Sequence, residues 1–296
     1  MKTSLYVILF CLCLSAPALA TVWSDPVLLT ELNDSFTGHV ASDPFLTADG
    51  LTMYFCRAGN DTNSRIMMAT RDSVSDPFTS ISEVTDLYVG KRIYSPWVSA
   101  DGLRMYYNQH ENSTLKDMIH MAARASINDP WQDVMTFTDI HNLYQYNAYL
   151  SLTPDELTLY YSAPNPESYM IWMATRTSIG DQFSSPVAVT ELNDGSYASG
   201  PYIMPDNLTI FYDAVRDGYP TLDLYMAARS SASDPFGNIE RLNISSDSIN
   251  DFHPYVSADY TTLYFSTAGG IWMSQQVPEP ATCLLVLAGG LLLRKK

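Results

Sequence analysis

Five aspartates recur at almost equal spacing along the chain, and their type first suggests chemistry. Their successive separations are 52, 54, 51 and 53 residues. Such carboxylates could bind a divalent cation or work as an acid–base pair. Each one, however, follows the same kind of segment, where a hairpin turn needs a side chain that hydrogen-bonds its own backbone. We therefore interpret them as turn residues and predict neither a metal site nor a cofactor: Asp49, Asp101, Asp155, Asp206 and Asp259.

Other reactive side chains form no catalytic motif. The sequence contains no Gly-x-Ser-x-Gly nucleophile motif and no pair of histidines at metal-ligand spacing. Cys56 is the only cysteine between the two terminal segments, so no disulfide can form inside the central region. We interpret Cys56 as a small buried hydrophobic residue rather than a reactive thiol.

The segments around the aspartates predict four strands in every repeat. In the clearest copy, Ser95–Tyr107, an extended segment with a leading proline reaches an Asp-Gly turn and an aromatic strand follows. A third run ends in Met-Ala-x-Arg, as in Ile119–Arg124, and we expect this arginine to contact a carboxylate of a neighbouring unit. A fourth extended segment, such as Val187–Asp194, closes the unit. Four strands and a period of about 50 residues are typical of a propeller blade.

The last repeat lacks its fourth segment, and the N-terminal region supplies a match for it. Ser24–Asp34 resembles Val187–Asp194 closely. Because an open ring would expose strand edges, we predict that this segment pairs with the last repeat. The prediction is an all-β, five-bladed β-propeller with four antiparallel strands per blade and a last blade closed by the N-terminal strand. The approximate blades are 39–87, 91–143, 145–194, 196–247, and 249–276 together with 21–34.

The pattern Pro-aromatic-x-Ser-x-Asp-Gly, followed by an aromatic strand, resembles the WD40-like (PD40) repeats of TolB-type β-propellers. The resemblance covers residues 21–276 and implies the architecture, since one fold of this kind carries many functions. The third unit departs from the pattern, with Leu150 and Ser151 where a proline and an aromatic residue are expected.

The architecture also resembles that of five-bladed glycosidases, which use paired carboxylates in a central funnel. The residues that enter the innermost strands should line this funnel, and only Asp43 and Asp251 among them are acidic. Ring closure would make their blades neighbours, so catalysis by these two acids is the alternative hypothesis. We favour a non-catalytic binding protein, with a glycan or protein ligand held at the funnel mouth. The predicted binding residues are His39, Asp43, Tyr94, Asn147, Tyr149, Ser199, Asp251 and His253.

The N-terminus has the features of a secretory signal. Lys2 precedes an apolar run from Leu5 to Leu14, and Ala18-Leu19-Ala20 provides small residues before a cleavage site at Thr21. We therefore predict that residues 1–20 are removed during export.

The C-terminal segment 277–296 resembles a PEP-CTERM sorting signal. It contains Pro278, Glu279 and Pro280, then an apolar stretch, and ends in Arg294-Lys295-Lys296. The resemblance implies a transient membrane anchor, an exosortase-type processing enzyme as partner, and a place in the bacterial cell envelope, at the cell surface or in the extracellular matrix. A permanent C-terminal anchor is the alternative. The apolar stretch would be about 20 Å long as a helix, shorter than a bilayer core of about 30 Å.

The charge excludes one class of partner. The full chain has a net charge of −16, and residues 21–276 with Val277 contain 31 acidic and 12 basic residues. Such a surface repels nucleic acid, so we predict no nucleic-acid partner. Exported, envelope-associated binding or matrix assembly is the favoured function, and a carbohydrate-active enzyme is the alternative.

Overall fold

The structure is a computed structural model that describes residues 22–33, 38–58, 63–111, 116–140, 147–165, 168–184, 186–216 and 218–277. In these residues the strands form five four-stranded antiparallel sheets, joined by turns and two short 3-10 helices at Thr30–Leu32 and Thr85–Leu87. The predicted all-β, five-bladed propeller is thereby confirmed. The predicted leader 1–20 and the residues Pro278, Glu279 and Pro280 lie outside the described residues.

Each blade is one sheet, and its strands are given in chain order after the N-terminal strand β1 (Val27–Leu28). Blade 1 contains β2 (Ala41–Leu46), β3 (Thr52–Ala58), β4 (Ser64–Thr70) and β5 (Ser80–Glu83). Blade 2 contains β6 (Ile93–Val98), β7 (Arg104–Glu111), β8 (Lys116–Ala123) and β9 (Gln132–Thr136). Blade 3 contains β10 (Ala148–Leu152), β11 (Thr158–Asn165), β12 (Ser168–Thr175) and β13 (Val187–Ala188). Blade 4 contains β14 (Tyr197–Ile203), β15 (Thr209–Val215), β16 (Asp223–Ala228) and β17 (Gly237–Arg241). Blade 5 contains β18 (Phe252–Val256), β19 (Thr262–Thr267) and β20 (Gly270–Gln275), with β1 as its outer strand.

The N-terminal strand closes the ring, as predicted. β1 pairs antiparallel with β20, with Val27 opposite Met273 and Leu28 opposite Trp272. The Trp23 N–H also donates to Oδ1 of Asn243 at 2.9 Å, and Nδ2 of Asn243 returns a bond to the Trp23 carbonyl at 2.8 Å. Since Asn243 follows the outer strand of blade 4, the N-terminal segment ties the last blade to its neighbour.

Large apolar side chains fill the space between neighbouring blades. The most deeply buried aromatic residues lie mainly on the second strand of each blade, including Phe55, Tyr106, Tyr161, Phe211 and Tyr264. Their burial removes large apolar areas from water, which is the main stabilising contribution in a core of this size.

The turn aspartates bond to their own hairpins. In every blade the carboxylate accepts the backbone N–H two residues further on, at 2.8–3.1 Å. In four blades it also accepts a hydroxyl hydrogen bond from the serine or threonine two residues before it, as from Thr47 to Asp49 at 2.6 Å. These contacts support the interpretation of the five aspartates as turn residues.

The repeated arginines contact different partners from those expected. Arg229 donates to the Asn207 carbonyl of its own blade and to the Tyr160 hydroxyl of the preceding blade at 3.1 Å. Its guanidinium also lies 4.3 Å from the ring centre of Phe236. Arg71 repeats the arrangement with Gly50, Tyr264 and Phe78. The expected carboxylate is replaced by a tyrosine hydroxyl because the second strand of the preceding blade presents an aromatic residue there.

The third blade forms despite its divergent sequence. Ser151 is buried, and its Oγ accepts the Ile203 N–H of the next blade at 3.1 Å. A hydrogen bond to the neighbouring blade thus replaces the aromatic packing that the other repeats use at this position.

Candidate functional site at the funnel entry

In all five blades the innermost strand carries a bulge at the same position, near its first residues. These first residues lie at one end of the funnel. We call this end the entry mouth and the opposite end, at the aspartate turns, the turn mouth. At the bulge the backbone is left-handed, with φ between 52° and 55° in every blade, a conformation that costs energy for residues other than glycine. The five bulge residues are Asp43, Ser95, Tyr149, Gly200 and His253.

Side chains of the neighbouring blade hold these bulges. The N–H of Asp43 donates to Ser266 Oγ at 3.0 Å, and the N–H of His253 donates to Asp213 Oδ1 at 2.9 Å. The same position on the second strand of the other blades has Cys56, Asn108 and Ser162, which are also buried and bond to the next blade. Gly200 is required at its bulge because a Cβ would collide with the Asp213 carboxylate.

The bulge residues line a small cavity on the axis of the ring. Its volume is about 40 Å³, which is room for about three water molecules. Phe45, Trp97 and Tyr202 line its inner side. Since binding pockets for small molecules usually measure about 300–1,000 Å³, this cavity cannot enclose a sugar ring.

Two acids and one histidine form a charged cluster at this cavity. Nδ1 of His253 contacts Oδ1 of Asp43, and Asp213 accepts bonds from the His253 N–H and from the Ser199 hydroxyl. The ring of Tyr149 lies 3.9 Å from the imidazole, measured between ring centres. The first, fourth and fifth blades thus bring His253 to two carboxylates, its imidazole to Asp43 and its backbone N–H to Asp213.

The surroundings shift the pKa values of all three groups. Burial alone would raise the pKa of Asp43, but the charge and hydrogen bond of His253 outweigh it and lower the pKa. Burial alone would lower the pKa of His253, but the charge and hydrogen bond of Asp43 and the charge of Asp213 together outweigh it and raise the pKa. Burial raises the pKa of Asp213. The opposite directions of the Asp43 and His253 shifts favour the charged forms of both groups.

The two acids of the catalytic hypothesis belong to different groups. Asp43 lines the axial cavity, whereas Asp251 does not. The Asp251 N–H donates to the Leu222 carbonyl at 2.8 Å, and its charge interacts with Asp223 and Arg241. Burial and the nearby charge of Asp223 raise the pKa of Asp251 to about 7. Among the described residues, the two acids contact different partners.

The other predicted residues lie near the starts of the innermost strands, outside the lining of the axial cavity. Tyr94 is buried and makes an edge-to-face contact with Tyr149, their ring centres 6.0 Å apart. The buried Asn147 accepts a hydrogen bond from Asn108 through its carbonyl. His39 is half-buried just before β2 and is not among the residues that line the cavity.

Half-buried aromatic rings continue from the cavity to the surface. Tyr169 and Tyr197, from blades 3 and 4, lie 5.5 Å apart between ring centres, and both influence the charge environment of Tyr149. Phe252 contacts His253 at 4.8 Å between ring centres. We call these rings, which come from four blades, the aromatic arc: Tyr94, Tyr149, Tyr169, Tyr197 and Phe252. The arc can stack on the flat face of a ligand.

A charged group stands beside the aromatic arc. The Arg92 side chain is 45% exposed and pairs with Asp117 at 3.1 Å. Its guanidinium lies 5.0 Å from the ring centre of Tyr94. Nδ1 of His110 lies 2.8 Å from the same Asp117 carboxylate. The entry mouth therefore offers aromatic faces, one accessible cation and hydrogen-bonding groups.

Sequence reasoning missed Asp213 and the Arg92–Asp117–His110 group. Asp213 follows Phe211-Tyr212 at the position where the other repeats have Cys56, Asn108, Ser162 and Ser266. A comparison of the second strands would have marked it as the one acidic member. In the described part of the chain, no three His, Cys, Asp or Glu side chains are grouped as a metal site would need.

No helix among the described residues is long and apolar enough to cross a bilayer.

Comparison with known proteins supports the architecture. No family model and no curated protein sequence matches the chain. Among solved structures, an α-L-arabinofuranosidase from Podospora anserina, in complex with cellotriose, is similar with a TM-score of 0.59 and 12% identity; 87% of this chain and 97% of that one are covered. A protein assigned as TolB from Agrobacterium tumefaciens has a TM-score of 0.50 and 17% identity, over 78% and 70% of the two chains. TolB from Acinetobacter baumannii has a TM-score of 0.51 and 14% identity over 80% of this chain, which spans 54% of that protein. At these identities the likeness establishes the propeller fold, which TolB proteins share with glycoside hydrolases.

Proposed function

We propose that this chain is an exported, envelope-associated β-propeller that binds a glycan or protein ligand at its entry mouth without catalysing a reaction. The observation that carries the proposal is the state of Asp43. Its carboxylate is paired with His253 in a cavity of about 40 Å³, so it is not available to attack or protonate a glycosidic bond. Hydrolysis of that bond needs two opposed acids with space for a sugar between them.

The aromatic arc and Arg92 supply the binding surface. Sugar rings and planar peptide groups stack on half-buried tyrosines, and a guanidinium donates hydrogen bonds to hydroxyl, carbonyl or carboxylate oxygens. Tyr149, Tyr169 and Tyr197 provide the faces, and Arg92 provides the donor. The ligand would lie across the mouth and would not enter the funnel.

The terminal segments support export. Residues 1–20 match a secretory signal, and 277–296 match a PEP-CTERM signal in the order of their parts. Processing by an exosortase-type enzyme near Pro278–Pro280 would release the propeller from a transient anchor. Fractionation of cells that express Glu279→Ala should show this variant retained in the membrane fraction. Retention of both proteins in the membrane fraction would indicate the permanent anchor, and equal release of both would contradict processing at Glu279.

Binding is tested by a glycan array and a panel of envelope proteins, probed with the purified protein. Tyr169→Ala should weaken binding of any ligand found by about fivefold, since loss of one stacking ring costs about 1 kcal/mol. Tyr260→Ala is the matched control, because Tyr260 is also half-buried but lies at the turn mouth, where its hydroxyl bonds to Asp206. An equal loss in both variants, or an empty array and panel, would contradict the proposal.

A carbohydrate-active enzyme is the second candidate. The observation that favours it is the pKa of Asp251 at about 7, since a carboxylic acid that keeps its proton near neutral pH can act as a general acid. Hydrolysis assays on arabinose-, xylose- and glucose-containing oligosaccharides test this candidate. Turnover that Asp43→Asn and Asp251→Asn both abolish would establish it in place of the non-catalytic function.

A further inference from the structure

The turn mouth contains an apolar well that the entry-mouth site does not use. Its volume is about 200 Å³. Phe45, Trp97 and Tyr202 line both this well and the smaller entry cavity, so their rings lie between the two. Tyr255 extends the series, and successive ring centres from Trp97 to Phe45, Tyr255 and Tyr202 are 5.7, 5.3 and 4.7 Å apart. The rings form an open arc because Ser151 occupies the equivalent place in blade 3.

Small residues surround the opening of the well. In every blade the rim position is an exposed alanine or proline: Ala48, Ala100, Pro154, Pro205 and Ala258. No long side chain stands at these positions to cover the aromatic rings. Proline and alanine also suit the second position of the turn, which accounts for their type but not for the open well beneath them.

Five carboxylates stand directly outside this rim. The residue after each rim position is a turn aspartate, and all five are exposed. Hydroxyl hydrogen bonds from Thr47 and Ser257 lower the pKa of Asp49 and Asp259, which are therefore ionised at neutral pH. Both aspartates also line a second cavity that shares Leu46, Ala48, Tyr255 and Ala258 with the well.

The arginines at this mouth contact groups of the blades themselves. Arg104 pairs with Asp101 at 2.9 Å and with Glu156 at 2.8 Å. Arg71 lines the second cavity, but it donates to the Gly50 carbonyl and lies over the ring of Phe78. Arg124, Arg176 and Arg229 repeat the Arg71 arrangement in blades 2, 3 and 4. These arginines follow the third strands, whereas the turn aspartates follow the rim positions directly, so the charges next to the opening favour a cation over an anion.

We infer that the turn mouth is a second binding site, specific for a small organic cation of the quaternary ammonium type. The apolar body of such a cation fits a well of about 200 Å³. Aromatic faces attract an alkylammonium group, for which a shell of methyl groups costs little to remove from water. The ring of carboxylates adds an attraction that a neutral molecule of the same shape lacks. The site is independent of the entry mouth, because the aromatic rings lie between them.

The full-length protein, purified in an uncharged maltoside detergent, is titrated calorimetrically with choline and with its neutral carbon isostere 3,3-dimethylbutan-1-ol. Choline should bind saturably, and the isostere about tenfold more weakly, because the charge contributes about 1.4 kcal/mol. Equal affinities, or no choline binding, would overturn the inference. Choline binding that is seen only after residues 278–296 are removed would show that the chain's own tail occupies the well, and it would overturn the inference as well.

Matched double variants locate the site. Asp49→Asn with Asp259→Asn should weaken choline binding about fivefold, since two nearby charges are lost while the amide oxygens still accept the turn hydrogen bonds. Asp86→Asn with Asp139→Asn makes the same change in charge after the outer strands of blades 1 and 2, at the opposite end of the funnel, where both aspartates are exposed. This control should retain choline affinity because more distant surface charges are screened. Equal weakening of choline binding in both double variants would show that the overall charge of the protein causes the effect. This result would contradict a site at the well.

Discussion

The two mouths of the funnel use one repeated backbone in opposite ways. At the turn mouth the key position is aspartate in all five blades, and each aspartate bonds the backbone of its own hairpin. At the entry mouth the equivalent bulges have nearly the same φ, but the residue differs in every blade. Identical residues around a ring serve the structure of each blade, whereas different residues at equivalent positions can build one asymmetric site. The entry mouth places its charges where blades 4, 5 and 1 meet.

The largest expected effect on stability comes from removing β1, the strand that closes the ring. Both mouths depend on the closed ring. Deletion of residues 21–34 removes β1, the buried Trp23 and the bonds to Asn243. The protein should then lose cooperative unfolding, since the edge of β20 is left unpaired and the link between blades 4 and 5 through Trp23 and Asn243 is lost. Circular dichroism during heating measures this loss, with deletion of residues 1–20 alone as the control. A deletion protein that unfolds at the same temperature as the control would refute ring closure.

The next largest effect should follow from breaking the charged cluster of the entry mouth. Asp43→Asn leaves His253 without its carboxylate partner inside the protein, which should cost about 3 kcal/mol of unfolding free energy at pH 5.5. Urea denaturation measures this difference. Ser95→Ala is a suitable control, because it removes a bulge-position hydroxyl that bonds the same carboxylate without removing a charge.

The pH dependence of that loss identifies its cause. The pKa of Asp43 is lowered, so its contribution is present above the ordinary value of 3.8 and is lost as pH falls through the folded-state pKa. The pKa of His253 is raised, so its contribution is present below 6.5 and is lost as pH rises through the folded-state pKa. The destabilisation by Asp43→Asn should therefore be largest between these two ordinary values. A loss that is constant from pH 4 to pH 9 would assign the effect to packing.

A smaller effect of opposite sign is expected at Asp251. Its folded-state pKa of about 7 lies above the ordinary value of 3.8, so stability falls as the pH rises between these values. Asp251→Asn removes this dependence and should stabilise the protein by about 1–3 kcal/mol at pH 8, with a smaller gain towards pH 4. Asp247→Asn, an exposed acid that pairs with Arg241 at 2.8 Å, should change stability by less than about 0.5 kcal/mol. Destabilisation by Asp251→Asn at pH 8 would contradict the raised pKa.

The smallest expected effect is at a single turn aspartate. Asp155→Ala removes the acceptor for the Thr153 hydroxyl and the Leu157 N–H, and should cost about 1 kcal/mol. Asp155→Asn keeps an oxygen acceptor and should cost less than half of that. Thermal unfolding at neutral pH compares the two variants. Equal destabilisation would mean that the carboxylate charge, and not turn bonding, matters at this position.

Much of the fold could be predicted because the sequence repeats. The aspartate spacing indicated five units, the alternation of turns and aromatic runs indicated four strands, and the match of Ser24–Asp34 to Val187–Asp194 indicated the closing strand. Each of these signals is local, since it depends on turn chemistry and strand preference within a few residues. The third blade shows that one missing aromatic residue, at Ser151, does not change such a pattern.

The candidate site was predicted less completely, since it depends on contacts between blades. Asp43 and His253 were both assigned to the funnel, but their pairing could not be read from positions 210 residues apart in the chain. Asp251 was grouped with Asp43 because both enter innermost strands, and the structure instead gives Asp251 the neighbours Asp223 and Arg241. Asp251 lies two positions before the bulge at His253, whereas Asp43 is itself the bulge residue of its blade, so the two acids do not occupy equivalent strand positions.

By itself the sequence determined the number of blades, the strands within each blade and the turn role of the aspartates, because these follow from short-range preferences that repeat. The tertiary structure alone decided which side chains meet on the axis, how small the entry cavity is, and that an apolar well opens at the turn mouth. The physical reason is the ring itself. Residues far apart in the chain come together only after five sheets close around one axis, and burial there sets their charges and pKa values.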